Sequence, residues 1–336
     1  MTATLSWIVG RGGLLGRHVE ASLVRGDERS EVWRPESPIG WADTEKAIVG
    51  LQLEVARFLG CAARSGKPWR LLWCAGAGVV ATSPEKLAQE TVLLTRFLAG
   101  VADRLSDDPP LAQAGTLFFA SSAGGVYAAS GAAPPFDEHS PVGALAPYGR
   151  EKLAQEELFT TLADACRVDL LIGRLSNLYG TGQKLSKPQG LISHVGRAAL
   201  RREPVSIYVP LDTIRDYLFA ADAGRMVVEA IEHRGVSRHE GAPGGSTTKI
   251  FASEVETTVA SVLGAWRQAL RRPLRIALAS SPAGQFQPRV LSFRSRVLPD
   301  VRGQPTLLPL GVDAVWRDQL ARLQATGVGW SASPDR

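Results

Sequence analysis

Tyr148 and Lys152 stand four residues apart in Pro147-Tyr148-Gly149-Arg150-Glu151-Lys152, at the head of a run with helical apolar spacing. That spacing puts both side chains on one helical face. A phenol has an ordinary pKa near 10, too high for acid–base work at neutral pH. An ammonium beside it stabilises the phenolate, so Lys152 is expected to lower the pKa of Tyr148 and fit it for proton transfer. A Tyr-x-x-x-Lys pair alone is common, and its meaning depends on what else the chain brings near it.

A second candidate is Gly10-Arg11-Gly12-Gly13-Leu14-Leu15-Gly16, between a strand-like run and a helix-like one. Glycines at 10, 13 and 16 permit a tight turn, close approach of the backbone to a pyrophosphate, and helix amides aimed at the anion. Plain turns also collect glycine. Here the triplet joins the first strand to the first helix, which is the context a dinucleotide site requires. Leu14 and Leu15 belong to this expected site, with Ala75, Gly76 and Ala77 after a later strand and Ser121 after another. Sites for NAD usually carry an acidic residue at the end of the second strand, whereas Glu31-Val32-Trp33-Arg34 places Arg34 there. Arg34 and Arg11 together favour a 2′-phosphate, since guanidinium pairs with phosphate bidentately. NADP(H) is therefore the preferred cofactor. Arg34 stacked on adenine or facing solvent is the plainer alternative, and Glu31 and Glu36 keep NAD(H) open.

The combination resembles the extended short-chain dehydrogenase/reductase family, the NAD-dependent epimerase/dehydratase group. The resemblance runs over about residues 5–235. It includes Phe119-Ala120-Ser121-Ser122-Ala123-Gly124-Gly125-Val126-Tyr127, the Tyr148/Lys152 pair, Arg174-Leu175-Ser176-Asn177-Leu178-Tyr179-Gly180, and Ile207-Tyr208 followed by Arg215-Asp216-Tyr217. It implies Tyr148 as proton donor or acceptor, and Lys152 as a holder of the nicotinamide ribose. It implies Asn177 and Arg215 as contacts to a substrate nucleotide, with Ala123 and Gly124 beside the sugar. Lys184 and Lys187 are further basic candidates. The family's catalytic Ser/Thr usually stands three residues before the Val of its Val-Tyr pair, which here is Ala123. Ser122, one place earlier, is the expected substitute, unless Tyr148 works without a hydroxyl or with water in its place.

The resemblance also bears on the reaction. Members that remove water from a sugar place an acidic pair after the catalytic Thr, and decarboxylating members carry a Glu there; this chain has Gly124 and Gly125. No Cys/His pair matches epimerisation at C3 and C5. C4 epimerisation and keto-sugar reduction remain. The leading expectation is NADPH-dependent reduction of a nucleotide-linked 4-keto sugar. The others are an NAD-dependent C4 epimerase of a UDP-sugar, a reductase of a ketone without a nucleotide, and a non-catalytic dinucleotide-binding protein on the same fold.

The elements that must position these residues read as an α/β, doubly wound parallel sheet of Rossmann type with a smaller C-terminal substrate-binding lobe. Candidate strands are Leu5–Val9, Glu31–Trp33, Leu71–Ala75, Thr116–Ala120 and Asp169–Gly173, and candidate helices Leu14–Val24, Thr44–Arg64, Ser83–Leu105 and Tyr148–Ala165. Residues 1–180 and about 217–235 are assigned to the dinucleotide domain, and 181–216 and 236–336 to the lobe. In the lobe, helices are expected at Leu191–Leu200, Ala252–Leu263 and Val312–Gln324, a strand at Val205–Val209, and a further helix at Asp222–Glu232.

With 336 residues, 45% hydrophobic and 21% charged, the chain has the make-up of a globular protein with a large core. A formal charge of +5 without a Lys/Arg block points away from nucleic acid. Cys61, Cys74 and Cys166 sit far apart in apolar runs and read as buried thiols. No spacing suits a metal site. No apolar stretch approaches the roughly 20 residues of a membrane span, so a cytoplasmic location without membrane attachment is expected. The apolar helices Ser83–Leu105 and Tyr148–Ala165 could form a homodimer interface, as the family resemblance implies, or ordinary core.

Overall fold

In the computed structural model, which describes residues 3–26, 30–183, 190–238, 244–279, 287–298 and 304–326, the alternating runs become alternating elements. They begin with β1 (Thr4–Val9), α1 (Leu14–Gly26), β2 (Ser30–Val32), α2 (Thr44–Ser65), β3 (Trp69–Trp73) and α3 (Pro84–Ser106). There follow α4 (Pro109–Gln113), β4 (Gly115–Ser122), α5 (Ala123–Val126), α6 (Pro147–Cys166) and β5 (Asp169–Leu175). The expected strands and helices of this half all form, within a few residues of their expected bounds. Ser83 is the N-cap of α3 with Pro84 in its first turn, though without a side-chain capping bond.

The remainder comprises β6 (Asn177–Tyr179), α7 (Leu191–Arg201), β7 (Val205–Ile207), β8 (Ile214–Arg215), β9 (Tyr217–Phe219) and α8 (Ala220–Arg238). It ends with β10 (Ser246–Phe251), β11 (Thr257–Thr258), α9 (Val259–Leu270), β12 (Ile276–Leu278), β13 (Val290–Leu291) and α10 (Leu308–Thr326). Two expectations need correction here. The helix expected at Ala252–Leu263 starts at Val259, because the Asp216 carboxylate binds the Ser253 amide and hydroxyl and the next residue, Glu254, turns at a φ of +59°, outside the helical range. The Thr258 side chain then accepts the Ser261 amide as an N-cap. Ser246–Phe251, assigned to the lobe, pairs in parallel with β5 as a strand of the main sheet.

That sheet is parallel throughout, in the order β10-β5-β4-β3-β1-β2. Its residues alternate between two buried faces, which is why the strands read as continuous apolar runs. Leu5, Trp7 and Val9 join Trp69, Leu71, Phe119 and the apolar sides of α2, α3 and α6. Ile8, Leu72 and Phe118 face α1 and α8. The chain winds outward in opposite directions from β1 and β3, so the crevice beyond their carboxyl ends is the switch point where such folds bind ligands.

The lobe has its own core of Val195, Val262, Leu263, Trp266, Val312 and Val315, between α7, α9 and α10. Leu94, Phe97, Val101 and Leu105 of α3 and Phe159 and Leu162 of α6 are buried within the chain. Val92 is the one large apolar side chain exposed on either helix, so pairing two copies through them would bury a mixed, polar surface. Among the described residues no helix is long and apolar enough to cross a membrane. Cys166 is buried, while Cys61 and Cys74 are partly exposed instead of fully buried as expected.

Candidate functional site

The glycine turn lies against the end of β3. A Cβ on Gly10, whose φ is +87°, would stand 2.6 Å from the Ala75 nitrogen, and one on Gly16 would stand 2.5 Å from the Gly10 carbonyl oxygen. Only glycine lets the turn approach β3 this closely while α1 tucks beneath it. Gly13 donates its amide to the Gly10 carbonyl at 2.8 Å, closing the turn. Leu14 begins α1, Leu15 is buried, and Ala75-Gly76-Ala77 follows β3 beside the turn. Arg11 and Arg34 converge on Glu20 of α1, Arg11 at 3.9 Å, and each guanidinium is about half exposed. Glu31 and Glu36 are drawn elsewhere, Glu31 to Lys67 at 2.6 Å and Glu36 to Arg57.

Across the crevice, α6 starts at Pro147 and presents Tyr148 and Lys152 on one face, as their spacing requires. Gly125 leaves room for the phenol, since a Cβ there would come within 3.2 Å of Tyr148 Cε1. Ser122 ends β4 and caps α5, accepting the Gly125 amide at 3.2 Å, and its hydroxyl lies on the Tyr148 side, where it favours the ionised phenol. Lys152 is buried, with Nζ donating to Gln155 Oε1 at 3.1 Å and to the Ala120 carbonyl at 3.4 Å, over the Phe119 ring. Burial pulls its ammonium down to about 8, against the opposing pull of Glu90 and Glu156.

The expected lowering of the Tyr148 pKa does not occur in the protein alone. Burial raises it above the usual phenol value, the Ser122 hydroxyl opposes this, and the Glu90 charge adds to the rise. Lys152 is turned toward Gln155 and Ala120, which removes the influence the sequence reading relied on. The neighbouring Ser121 hydroxyl donates to Glu156, which also pairs with Arg174, so Ser121 belongs to a buried polar network beneath the site.

On the substrate side, Asn177 follows β5, is exposed, and donates its side-chain amide to the Asp216 carbonyl at 2.9 Å. Arg215 is buried. Its guanidinium donates to the Ile214 carbonyl at 2.7 Å, the Arg289 carbonyl at 3.5 Å and Gln287 Oε1 at 3.4 Å. Neither Asp212 nor Asp216 pairs with it: Asp212 binds Arg289, and Asp216 binds Ser253. Gly124 is partly exposed with open space where a side chain would stand. Ala123 is a correction: its methyl is fully buried against Val126, Tyr127 and Phe136, so it does not line the crevice. Lys184 and Lys187 lie outside the described residues.

Residues 7–241 match the NAD dependent epimerase/dehydratase family. The chain belongs to that family. It is 29% identical over 119 residues to a dTDP-4-dehydro-6-deoxyglucose reductase of Escherichia coli, a match covering 35% of this chain and 37% of that protein. The curated relatives it matches are thus spanned over little more than a third of their length. Its fold is similar to that of a UDP-glucose 4-epimerase of Thermotoga maritima, solved with UDP-glucose (TM-score 0.72, 15% identity, 95% of this chain and 99% of that one). It is similar also to RMD of Pseudomonas aeruginosa, solved with NADPH (TM-score 0.72, 19% identity, 96% and 100%).

Within the epimerase/dehydratase family the resemblance puts the catalytic hydroxyl at the position of Ala123. The buried methyl there cannot serve, and it is Ser122 whose hydroxyl reaches Tyr148. One residue escaped the sequence reading altogether. Glu90 of α3 accepts the Ala77 amide at 2.8 Å and acts electrostatically on both Tyr148 and Lys152. A signal was available: Glu90 interrupts the inward stripe Leu87, Leu94, Phe97, Val101 of α3 with a charge, and a charge on the buried face of a helix needs a reason.

Proposed function

We propose that the chain is an NADPH-dependent reductase of a nucleotide-linked 4-keto sugar. The residues fit a nicotinamide dinucleotide: Gly10 and Gly16 open a backbone cradle no larger residue could form. Arg11 and Arg34 would hold the 2′-phosphate, Gly13 and the first turn of α1 the pyrophosphate, and Lys152 the nicotinamide ribose. A dinucleotide held by these residues would supply the hydride for the carbonyl carbon. Tyr148, kept protonated by its surroundings, supplies the proton to the carbonyl oxygen, and Ser122 orients that phenol and accepts or donates alongside it. Asn177 and Arg215 would engage the nucleotide.

The observation that carries the choice of NADPH is the division of charges around the second strand. The two guanidinium groups share a single carboxylate, Glu20, while Glu31 and Glu36 are already paired. A phosphate with close to two negative charges suits two guanidinium groups held by one carboxylate. Replacing Arg34 with Asp is expected to weaken NADPH binding by about 1–3 kcal/mol, the scale of charge-assisted hydrogen bonds, and to spare NADH, as read by calorimetric titration of both. Equal losses for the two cofactors would count against the assignment.

The reaction itself is tested by NADPH oxidation with 4-keto nucleotide sugars, which should produce steady consumption of cofactor. Epimerisation at C4 is the second reading. It uses the same Tyr148, Lys152 and Ser122, and the open space at Gly124 would leave a sugar room to turn. Tightly retained NAD and interconversion of UDP-sugars without net cofactor consumption would establish it instead.

A further inference from the structure

Glu90 lies on α3, outside the residues that the glycine turn and α6 supply. One carboxylate oxygen is anchored, Oε1 accepting the Ala77 amide at 2.8 Å. The other is directed into the site. A Cβ built on Gly76 would stand 3.9 Å from Glu90 Oε2 and 3.8 Å from Lys152 Nζ. One on Gly78 would stand 3.3 Å from Glu90 Oε2 and 3.6 Å from Tyr148 Cδ2. The carboxylate therefore lies along the same short glycine-bearing loop as the ammonium, near Gly76, and the phenol ring, near Gly78.

The remaining charges around the pair are accounted for. On α6, Glu156 is held by Arg174 of β5 and by Ser121 of β4, and Glu151 accepts the hydroxyl of Thr91. Gln155 bridges Thr91 and Lys152 as a neutral group. Ser122 meets Tyr148 from the end of β4. Glu90 thus differs from its neighbours in sending a carboxylate oxygen toward Lys152 and Tyr148 from the opposite wall.

We propose that Glu90 is a positioning residue that keeps Lys152 an ammonium and Tyr148 a phenol, and so sets the site to donate a proton to a carbonyl. For Lys152 the influences oppose each other: burial favours the neutral amine, and Glu90, followed by Glu156, favours the cation. For Tyr148 they agree, since burial and a nearby negative charge both disfavour the phenolate. The protonated pair is the state needed to reduce a ketone, whereas oxidation of an alcohol needs the phenolate. The inference deepens the reductase reading and rests on it for its direction, but the electrostatic effect is measurable without substrate.

Glu90→Gln removes the charge and keeps an oxygen for the Ala77 amide, so it separates electrostatics from anchoring. In the full chain without cofactor, acetylation of Lys152 by acetic anhydride, followed by peptide mass spectrometry across pH, should show half-reactivity near 8. In the Gln variant the midpoint should fall by about one pH unit, the scale of a nearby charge, with the melting temperature little changed. Glu90→Asp, which retains the charge, should keep most of the wild-type midpoint. An unchanged midpoint in the Gln variant overturns the proposal and leaves Glu90 an anchor for the loop. A shifted midpoint in a protein that oxidises no NADPH with any keto sugar sustains the electrostatic role and removes the reductase reading alone. Where turnover is found, the alkaline limb of the reduction profile should move to lower pH in the Gln variant, because a phenol relieved of the carboxylate ionises sooner. A limb that stays in place counts against the effect on Tyr148.

Discussion

Tyr148→Phe is expected to lower the reductive turnover about a hundredfold or more, the scale on which a positioned proton donor acts. The phenol has no close substitute in the site. Ser122 is the nearest hydroxyl, it is already committed to the Gly125 amide, and an aliphatic alcohol is a far weaker acid than a phenol. Lys152 gives two of its three ammonium protons to Gln155 and the Ala120 carbonyl, and the third would serve the nicotinamide ribose. The Phe ring should occupy the space left by Gly125 unchanged, because the close contacts there involve ring carbons. Loss of the contact with Ser122 costs no more than a hydrogen bond, about 0.5–1.5 kcal/mol, partly offset because a phenol hydroxyl is no longer buried. Melting temperature and NADPH affinity should therefore stay near those of the wild type while single-turnover NADPH oxidation collapses. A Phe variant that reduces substrate at close to the normal rate would remove Tyr148 from the chemistry and leave a binding protein on this fold as the better account.

The sequence carried the first half of the fold because both local signals agreed there. Strand runs such as Thr4–Val9 are mostly apolar and buried on both faces, and the helices that follow bury one stripe, so period and length were unambiguous. The region after Arg238 was harder for a definite reason. β10 opens with four polar residues, Ser246-Thr247-Thr248-Lys249, after a Gly-rich stretch, and its partner β5 lies far back in the chain, so nothing local marked it as part of the main sheet. The start of α9 was misplaced because the bond between Asp216 and Ser253, distant in sequence, holds the stretch before Val259 out of the helix.

The site divided in the same way. The glycine turn and the Tyr148/Lys152 face follow from short-range spacing and were legible. The state of Tyr148 was not, because it depends on burial and on Glu90 from another helix, and Lys152 spends its hydrogen bonds on groups within and behind α6. The fate of Ala123 turned on which way a four-residue helix rotates its side chains: it buries this methyl and leaves Ser122 as the cap.

Arg215 offers the sharpest test of a nucleotide in the substrate. Its guanidinium is buried on β8, and all three of its acceptors are neutral oxygens, from Ile214, Arg289 and Gln287. Among the described residues no carboxylate forms an ion pair with it, and burial holds its pKa below the ordinary arginine value. A buried cation without a counter-charge is costly to maintain, and an anionic group brought by a ligand would offset that cost; a diphosphate can do so bidentately. UDP or dTDP alone is therefore expected to raise the melting temperature of the wild type, by an amount corresponding to about 2.7 kcal/mol at a hundredfold excess over Kd. Arg215→Ala should abolish that shift, each variant being compared with its own unliganded melting point, because the substitution also removes a donor from three carbonyl oxygens. The stabilisation by NADPH should persist in the same variant, since the glycine turn, Arg11 and Arg34 lie across the crevice. Arg215→Lys should fall between the two, keeping the charge but losing the fork. A variant lacking Arg215 that still responds fully to UDP or dTDP would release this residue from nucleotide binding. A wild type that responds to neither nucleotide, and whose keto-sugar reduction neither inhibits, would move a ketone without a nucleotide to first place.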